Sequence, residues 1–100
     1  MTKPAPNLNN DPLWSGLGYY DPTPPGSAYT FVDRLMDECS WSREQALDAI
    51  TEYKRFLYMI VKSGKVLTPS EAVDLVWHQN VMFSRSYFDE LCGQILGQVI

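Results

Sequence analysis

One histidine and two cysteines are all the imidazoles and thiols that the 100 residues contain, and no CxxC or HxxxH spacing occurs. One imidazole, two distant thiols and scattered carboxylates do not make a zinc ligand set, so no metal and no cofactor is expected. The purified protein should carry no stoichiometric zinc. Clustered positive charge is lacking as well. Eight Lys and Arg stand against twelve Asp and Glu, for a net charge of −4 with no basic run. A basic face is what holds a protein to nucleic acid or to an anionic membrane, so neither is expected as a partner. No apolar run approaches the ~18 residues of a membrane span. The opening MTKPAPNLNN also lacks the apolar core of a signal peptide. A cytoplasmic setting is expected, with Cys39 and Cys92 as free thiols. A phosphate-cradling glycine loop is missing too: the glycines fit turns and helix ends or, for Gly93, a close helix contact.

What is present is strongly patterned. Six of the seven prolines fall in the first 25 residues, which marks off an N-terminal arm over 1–26 from a domain over 27–100. Residues 1–10 carry no periodic pattern and read as a flexible arm. Asp11 and Pro12 can start a short helical turn through Leu13, Trp14 and Leu17, ending near Gly18. The run DPTPPGS then holds the chain extended. Trp14 and the tyrosines that follow either pack this arm over a helical core or offer it to a partner.

From Thr30 onward the chain reads as helix. Thr30 with Asp33 caps one helix that stops near Cys39 and Ser40. Ser42 with Gln45 caps a second, running to Gly64. Its apolar positions, Ala46, Ala49, Ile50, Tyr53, Phe56, Leu57, Ile60 and Val61, cover about half its circumference. It is therefore expected to be the longest and most buried helix. Thr68, Pro69 and Glu71 read as the cap, first residue and reciprocal arm of a third helix ending near Gln79 or Asn80. A last helix from Ser84 or Ser86 carries Tyr87, Phe88, Leu91, Ile95 and Leu96 and stops at Gly97. The fold class is all-α: a small bundle of about four main helices with a packed, Pro-rich N-terminal arm.

Asp74 and His78 lie four residues apart on the third helix, hence one turn apart on one stripe. Such a carboxylate can hold an imidazole in one tautomer. Asn80, Arg85, Tyr87 and Cys92 are near enough in sequence to complete a polar cluster. The plainer reading is a helix-stabilising pair beside a core Trp77, with Arg85 bridging to Asp74 or Asp89. A Cys92–His78 nucleophile pair is conceivable, but the thiol sits in an apolar helix.

Certain runs carry a family resemblance. Tyr53 to Leu57 matches a Tyr-Lys/Arg-Arg-Phe-Leu run, and Val73-Asp74 with Trp77-His78 matches Val-Asp-x-x-Trp-His-x-His. Ser84-Arg85-Ser86-Tyr87, Cys92 and Leu96-Gly97 match a Thr-Arg-x-Tyr, a nearby Cys and a Leu-Gly. On these the chain, over about residues 12–97, resembles bacterial glycine-rich-domain-containing-like proteins, which share a helical domain with plant glycine-rich domain proteins. Asn80 stands where that family has its second histidine, and no histidine pair follows Leu96-Gly97. The resemblance therefore implies a helical domain whose site, if metal-binding in the family, is degenerate here.

With no catalytic constellation, the expected function is protein–protein binding, as an adaptor, regulator or immunity-type neutraliser. The alternative is an enzyme or metal-dependent domain using Asp74 and His78. Asp33, Asp37, Glu38, Glu44, Asp48 and Glu52 fall on two consecutive helices. They are either a solvated face or a docking surface for a basic partner.

Overall fold

Four side chains set where the helices begin. The structure, a computed structural model, describes residues 11–100, and the arm over 1–10 lies outside the described residues. Asp11 caps α1 (Pro12–Tyr19) by accepting the Leu13 N–H at 2.9 Å. Thr30 and Asp33 exchange backbone and side-chain hydrogen bonds at the start of α2 (Phe31–Cys39). Ser42 and Gln45 do the same for α3 (Arg43–Ser63). These capping boxes satisfy amide groups that a helix start leaves without intrahelical partners. Helix α4 (Glu71–Val81) starts two residues later than the Thr68 cap expected from sequence. Ser70 is extended, and its hydroxyl accepts the Val73 N–H at 3.2 Å. Glu71 is thereby the first helical residue, where its charge favours the helix dipole, rather than the reciprocal arm of a box. Among the described residues there is no strand, and the element order is five helices.

α3 runs through the middle and packs against α1, α2 and α4. Ala46, Ala49, Tyr53 and Leu57 are its buried positions, with Ile50, Phe56 and Val61 packed beside them. Its far side carries exposed Asp48, Glu52, Arg55 and Lys62, as the period of 3.6 demands. It stops at Gly64, which takes the left-handed conformation (φ 67°) and returns its N–H to the Ile60 carbonyl. α3 is the longest helix at 21 residues, yet the shorter last helix buries as many side chains. That last element, α5 (Ser86–Leu96), is wound as a π-helix. Tyr87, Leu91, Cys92 and Leu96 all face inward. At 3.6 residues per turn Tyr87 and Leu96 would lie about 180° apart. A wider turn, bonded i to i+5, brings all four to one side. Gly93 helps it form, because a Cβ there would come within 3.2 Å of the Phe88 carbonyl five residues back. Phe88, expected on the apolar stripe, is turned outward and is 46% exposed.

The arm from Asp11 onward belongs to the fold. α1 packs on both α3 and α5, and Gly16 lets it approach α5 so closely that a Cβ would sit 3.2 Å from Ile95. Trp14 stacks edge-on against Tyr58 with centroids 5.6 Å apart. Asp11 closes the joint: it accepts the Tyr58 hydroxyl at 2.6 Å and pairs with Lys62 at 3.3 Å. Of the two tyrosines that follow, Tyr20 is buried and Tyr19 stands in solvent.

Two outcomes follow from this architecture. Leu57, on the inner face of α3, is fully buried, so Leu57→Asp places an unpaired charge in the core and should unfold the domain, at a cost of several kcal/mol. A cooperative urea transition close to wild type would refute that. The second outcome concerns acid. The Tyr58 hydroxyl, above all, lowers the Asp11 pKa from its ordinary value, with help from the Leu13 N–H and Lys62 and against the effect of burial. The joint's contribution is therefore fully present above the unfolded pKa and is lost as pH falls through the folded one. Between about pH 5 and pH 2 the wild type should lose more stability than Asp11→Asn in urea denaturation. Identical acid dependence of the two would count against the joint.

Candidate functional site

Asn80 lies on the buried stripe of α4, in step with Val73 and Val76, and has no exposed surface. An amide in that position requires partners, because burying one unpaired is costly. It has them. Its Oδ1 accepts the Tyr20 hydroxyl at 2.7 Å, and its Nδ2 donates to the Tyr53 hydroxyl at 2.8 Å. The single proton of Tyr20 goes to Asn80, so Ser86 must be the donor in its 2.9 Å contact with Tyr20. The end of α1, the middle of α3, the end of α4 and the start of α5 thus meet at one neutral hydrogen-bonded knot. Burial pushes the Tyr20 pKa up to about 12 and that of Tyr53 higher still. Neither phenol is a base at neutral pH. A second pairing lies nearby: the Trp77 indole N–H donates to the Tyr87 hydroxyl, which donates to the Ile100 carbonyl, both at 2.9 Å.

The six polar residues singled out from sequence divide between inside and outside. Asn80, Tyr87 and Cys92 are buried. Asp74 and His78 are exposed on the outer side of α4, and among the described residues no hydrogen bond or ion pair joins them. They border a shallow hollow with Leu75, Trp77 and Val81. Arg85 is exposed and pairs with neither Asp74 nor Asp89; it lines a different hollow, with Pro22, Phe83 and Glu90. Cys92 and Cys39 are free thiols, the first inside α5 and the second at the end of α2, where burial raises its pKa. Among the described residues no group of three or more His, Cys, Asp and Glu is placed to hold a metal ion.

The best-defined concavity lies elsewhere. A cavity of about 340 Å³ opens between the end of α1, the turn after it, α2 and α3. Phe31, Val32, Leu47 and Ile50 make its apolar wall, and Tyr53 and Asn80 reach it from within. Tyr19 and Leu47 stand at its edge, 90% and 44% exposed. Lys54 completes the rim, its ammonium 3.4 Å from the Gly18 carbonyl and its pKa lowered by burial. Tyr20, Tyr53 and Lys54 were not among the sequence candidates. The signal for the knot was Asn80 itself, the one polar residue in step with an apolar stripe. Nothing in the sequence announced the cavity, since it depends on how the turn after α1 folds over α3.

A comparison with family models, with curated proteins and with solved structures found no match to the chain. Among the described residues no helix is long and apolar enough to cross a membrane.

Two substitutions separate the knot from the outer pair. Asn80→Leu leaves the buried Tyr53 hydroxyl without a partner and should cost about 1–3 kcal/mol, part of which Tyr53→Phe restores in the double mutant. Asp74→Ala should change stability by less than about 0.5 kcal/mol, because Asp74 holds nothing. Urea denaturation of the wild type, the three single mutants and the double mutant checks both, and additive losses in the double mutant would contradict the pairing.

Proposed function

We propose that this chain is a small binding module that holds a segment of another protein, with the cavity between α1, α2 and α3 as its working surface. The observation that carries this reading is the apolar rim. Tyr19 and Leu47 expose large side chains beside a concavity whose own wall is apolar. Such a rim excludes water once an apolar anchor side chain is seated. The cavity's volume suits one side chain of that kind, or a few small groups, and its hydroxyls are tied up in a neutral knot rather than poised for proton transfer. Catalysis at Asp74 and His78 has less support, since the two stand apart on an open surface. Exposed Asp37, Glu38, Glu44 and Asp48 add negative charge to α2 and α3, while Glu52 is paired with Arg55 at 2.8 Å. A partner that carries basic residues gains from that charge in rate and orientation of docking.

We carry the family resemblance as a proposal of the same standing: a bacterial relative of the glycine-rich-domain-containing-like proteins, working in the cytoplasm. In that reading Asn80 replaces an imidazole with an amide that ties helices together. Panning a displayed random-peptide library against the protein tests the function. Retained peptides should share an apolar residue with basic neighbours, and Leu47→Asp should fail to retain them. Peptides held equally by both proteins would place binding elsewhere.

A further inference from the structure

The apolar residues of α5 come as adjacent pairs spaced four apart: Tyr87-Phe88, Leu91-Cys92, Ile95-Leu96 and, beyond the helix, Val99-Ile100. A spacing of four falls between the α-helical period of about 3.6 and the longer period of a helix bonded i to i+5. The pattern therefore yields an apolar stripe in either winding, but not the same stripe. In the π winding Tyr87, Leu91, Cys92 and Leu96 are buried. Ile95 rests at the flank against Gly16, and Phe88 is half-exposed. At about 100° per residue, an α winding places Tyr87, Phe88 and Ile95 within about 60° of Leu91. Cys92 and Leu96 then lie about 100° and 140° away from it. The exchange gives up Cys92 and Leu96 and takes in Phe88 and Ile95, so the buried side chains are at least as large. Two features hold the π form. Gly93 leaves room for the Phe88 carbonyl, which a Cβ would meet at 3.2 Å. Ser86 bonds Tyr20 at 2.9 Å, whereas in an α winding it would lie about 140° from Leu91. The winding itself is unusual, since π turns occur mostly singly and often at functional sites, and this one runs for 11 residues.

We propose that α5 is a switch between two windings: the π form seals Cys92 in the core, and the α form turns Phe88 inward and presents Cys92 to solvent. Leu91 stays buried in both and serves as the pivot, so the exchange proceeds without unfolding the bundle. Rewinding also takes Ser86 away from Tyr20, a lining residue of the cavity, which ties the state of α5 to the shape of that surface. Cys92 is 1% exposed, among side chains that leave no space for an added group. Once the thiol carries one it cannot return to the core, and the α form is locked.

Labelling of the full chain with iodoacetamide tests this, in a Cys39→Ser background that leaves Cys92 as the one thiol. The thiolate displaces iodide, and mass spectrometry follows the adduct. Cys92 should react faster than global unfolding permits, at a rate nearly independent of low concentrations of urea. Phe88→Gln removes the large apolar residue that the α form buries. It should slow labelling about tenfold while changing the global urea transition little, because Phe88 is half-exposed in the π form. Gly93→Ala should speed labelling, since Ala is much the better α-helix former. In that variant the acceptor of the residue 93 N–H, read by NMR coupling across the hydrogen bond, should change from Phe88 to Asp89. Labelling that tracks global unfolding in urea would overturn the switch. So would a Phe88→Gln protein that labels as fast as its parent, a result that stands even if Gly93→Ala fails to fold.

Discussion

A single buried amide organises the interior. Asn80 accepts the Tyr20 hydroxyl on its Oδ1 and donates its Nδ2 to the Tyr53 oxygen, and through Tyr20 it reaches Ser86. Four helices are registered against each other by these contacts, because hydrogen bonds have a direction and a length that apolar packing lacks. The leucines around the knot, Leu17, Leu35, Leu57 and Leu91, are fully buried and supply the non-directional part of the stabilisation. An apolar residue at position 80 could pack the same space with less insistence on one arrangement. The knot is neutral throughout, so its geometry carries no penalty for buried charge.

The same contacts shape the cavity. Tyr20 is drawn inward to Asn80, which leaves its neighbour Tyr19 on the opposite side of the chain and fully in solvent. The turn that follows is stiffened by Asp21 holding Thr23, and the Thr23 hydroxyl in turn accepts the Phe31 N–H at 2.8 Å at the start of α2. The floor of the concavity and the turn beside it are thus fixed by bonds that also hold the fold together.

How much of this was legible in the sequence depended on the range of the interactions. The capping pairs Thr30–Asp33 and Ser42–Gln45, the stop at Gly64 and the stripe of α3 are local, and residue types at fixed spacing reveal them. At α4 the cap is Ser70 rather than the expected Thr68, and Val73, Val76 and Asn80 are its buried positions. The winding of α5 was not legible. A period of 3.6 selects Phe88 and omits Cys92, whereas the wider turn does the reverse, and the choice is made by what the helix packs against. The Asp74–His78 contact expected from sequence is absent among the described residues for a similar reason. Asp74 and His78 share a stripe, but a shared stripe brings two side chains near each other without obliging them to touch. The residues that do converge, Tyr20, Asn80, Tyr53 and Lys54, come from three separate stretches of chain.

The seat of α1 has a consequence during synthesis. Leu13, Trp14 and Leu17 emerge from the ribosome well before α5, which is part of the surface that α1 packs on. The Gly16–Ile95 contact joins residues about 80 positions apart. At roughly 5–20 residues per second, that partner arrives some 4 to 16 seconds later. Throughout that interval a short helix with a tryptophan and two leucines has an uncovered flank. This apolar surface is thus made some 80 residues before part of its cover, and nascent-chain chaperones have those seconds in which to meet it.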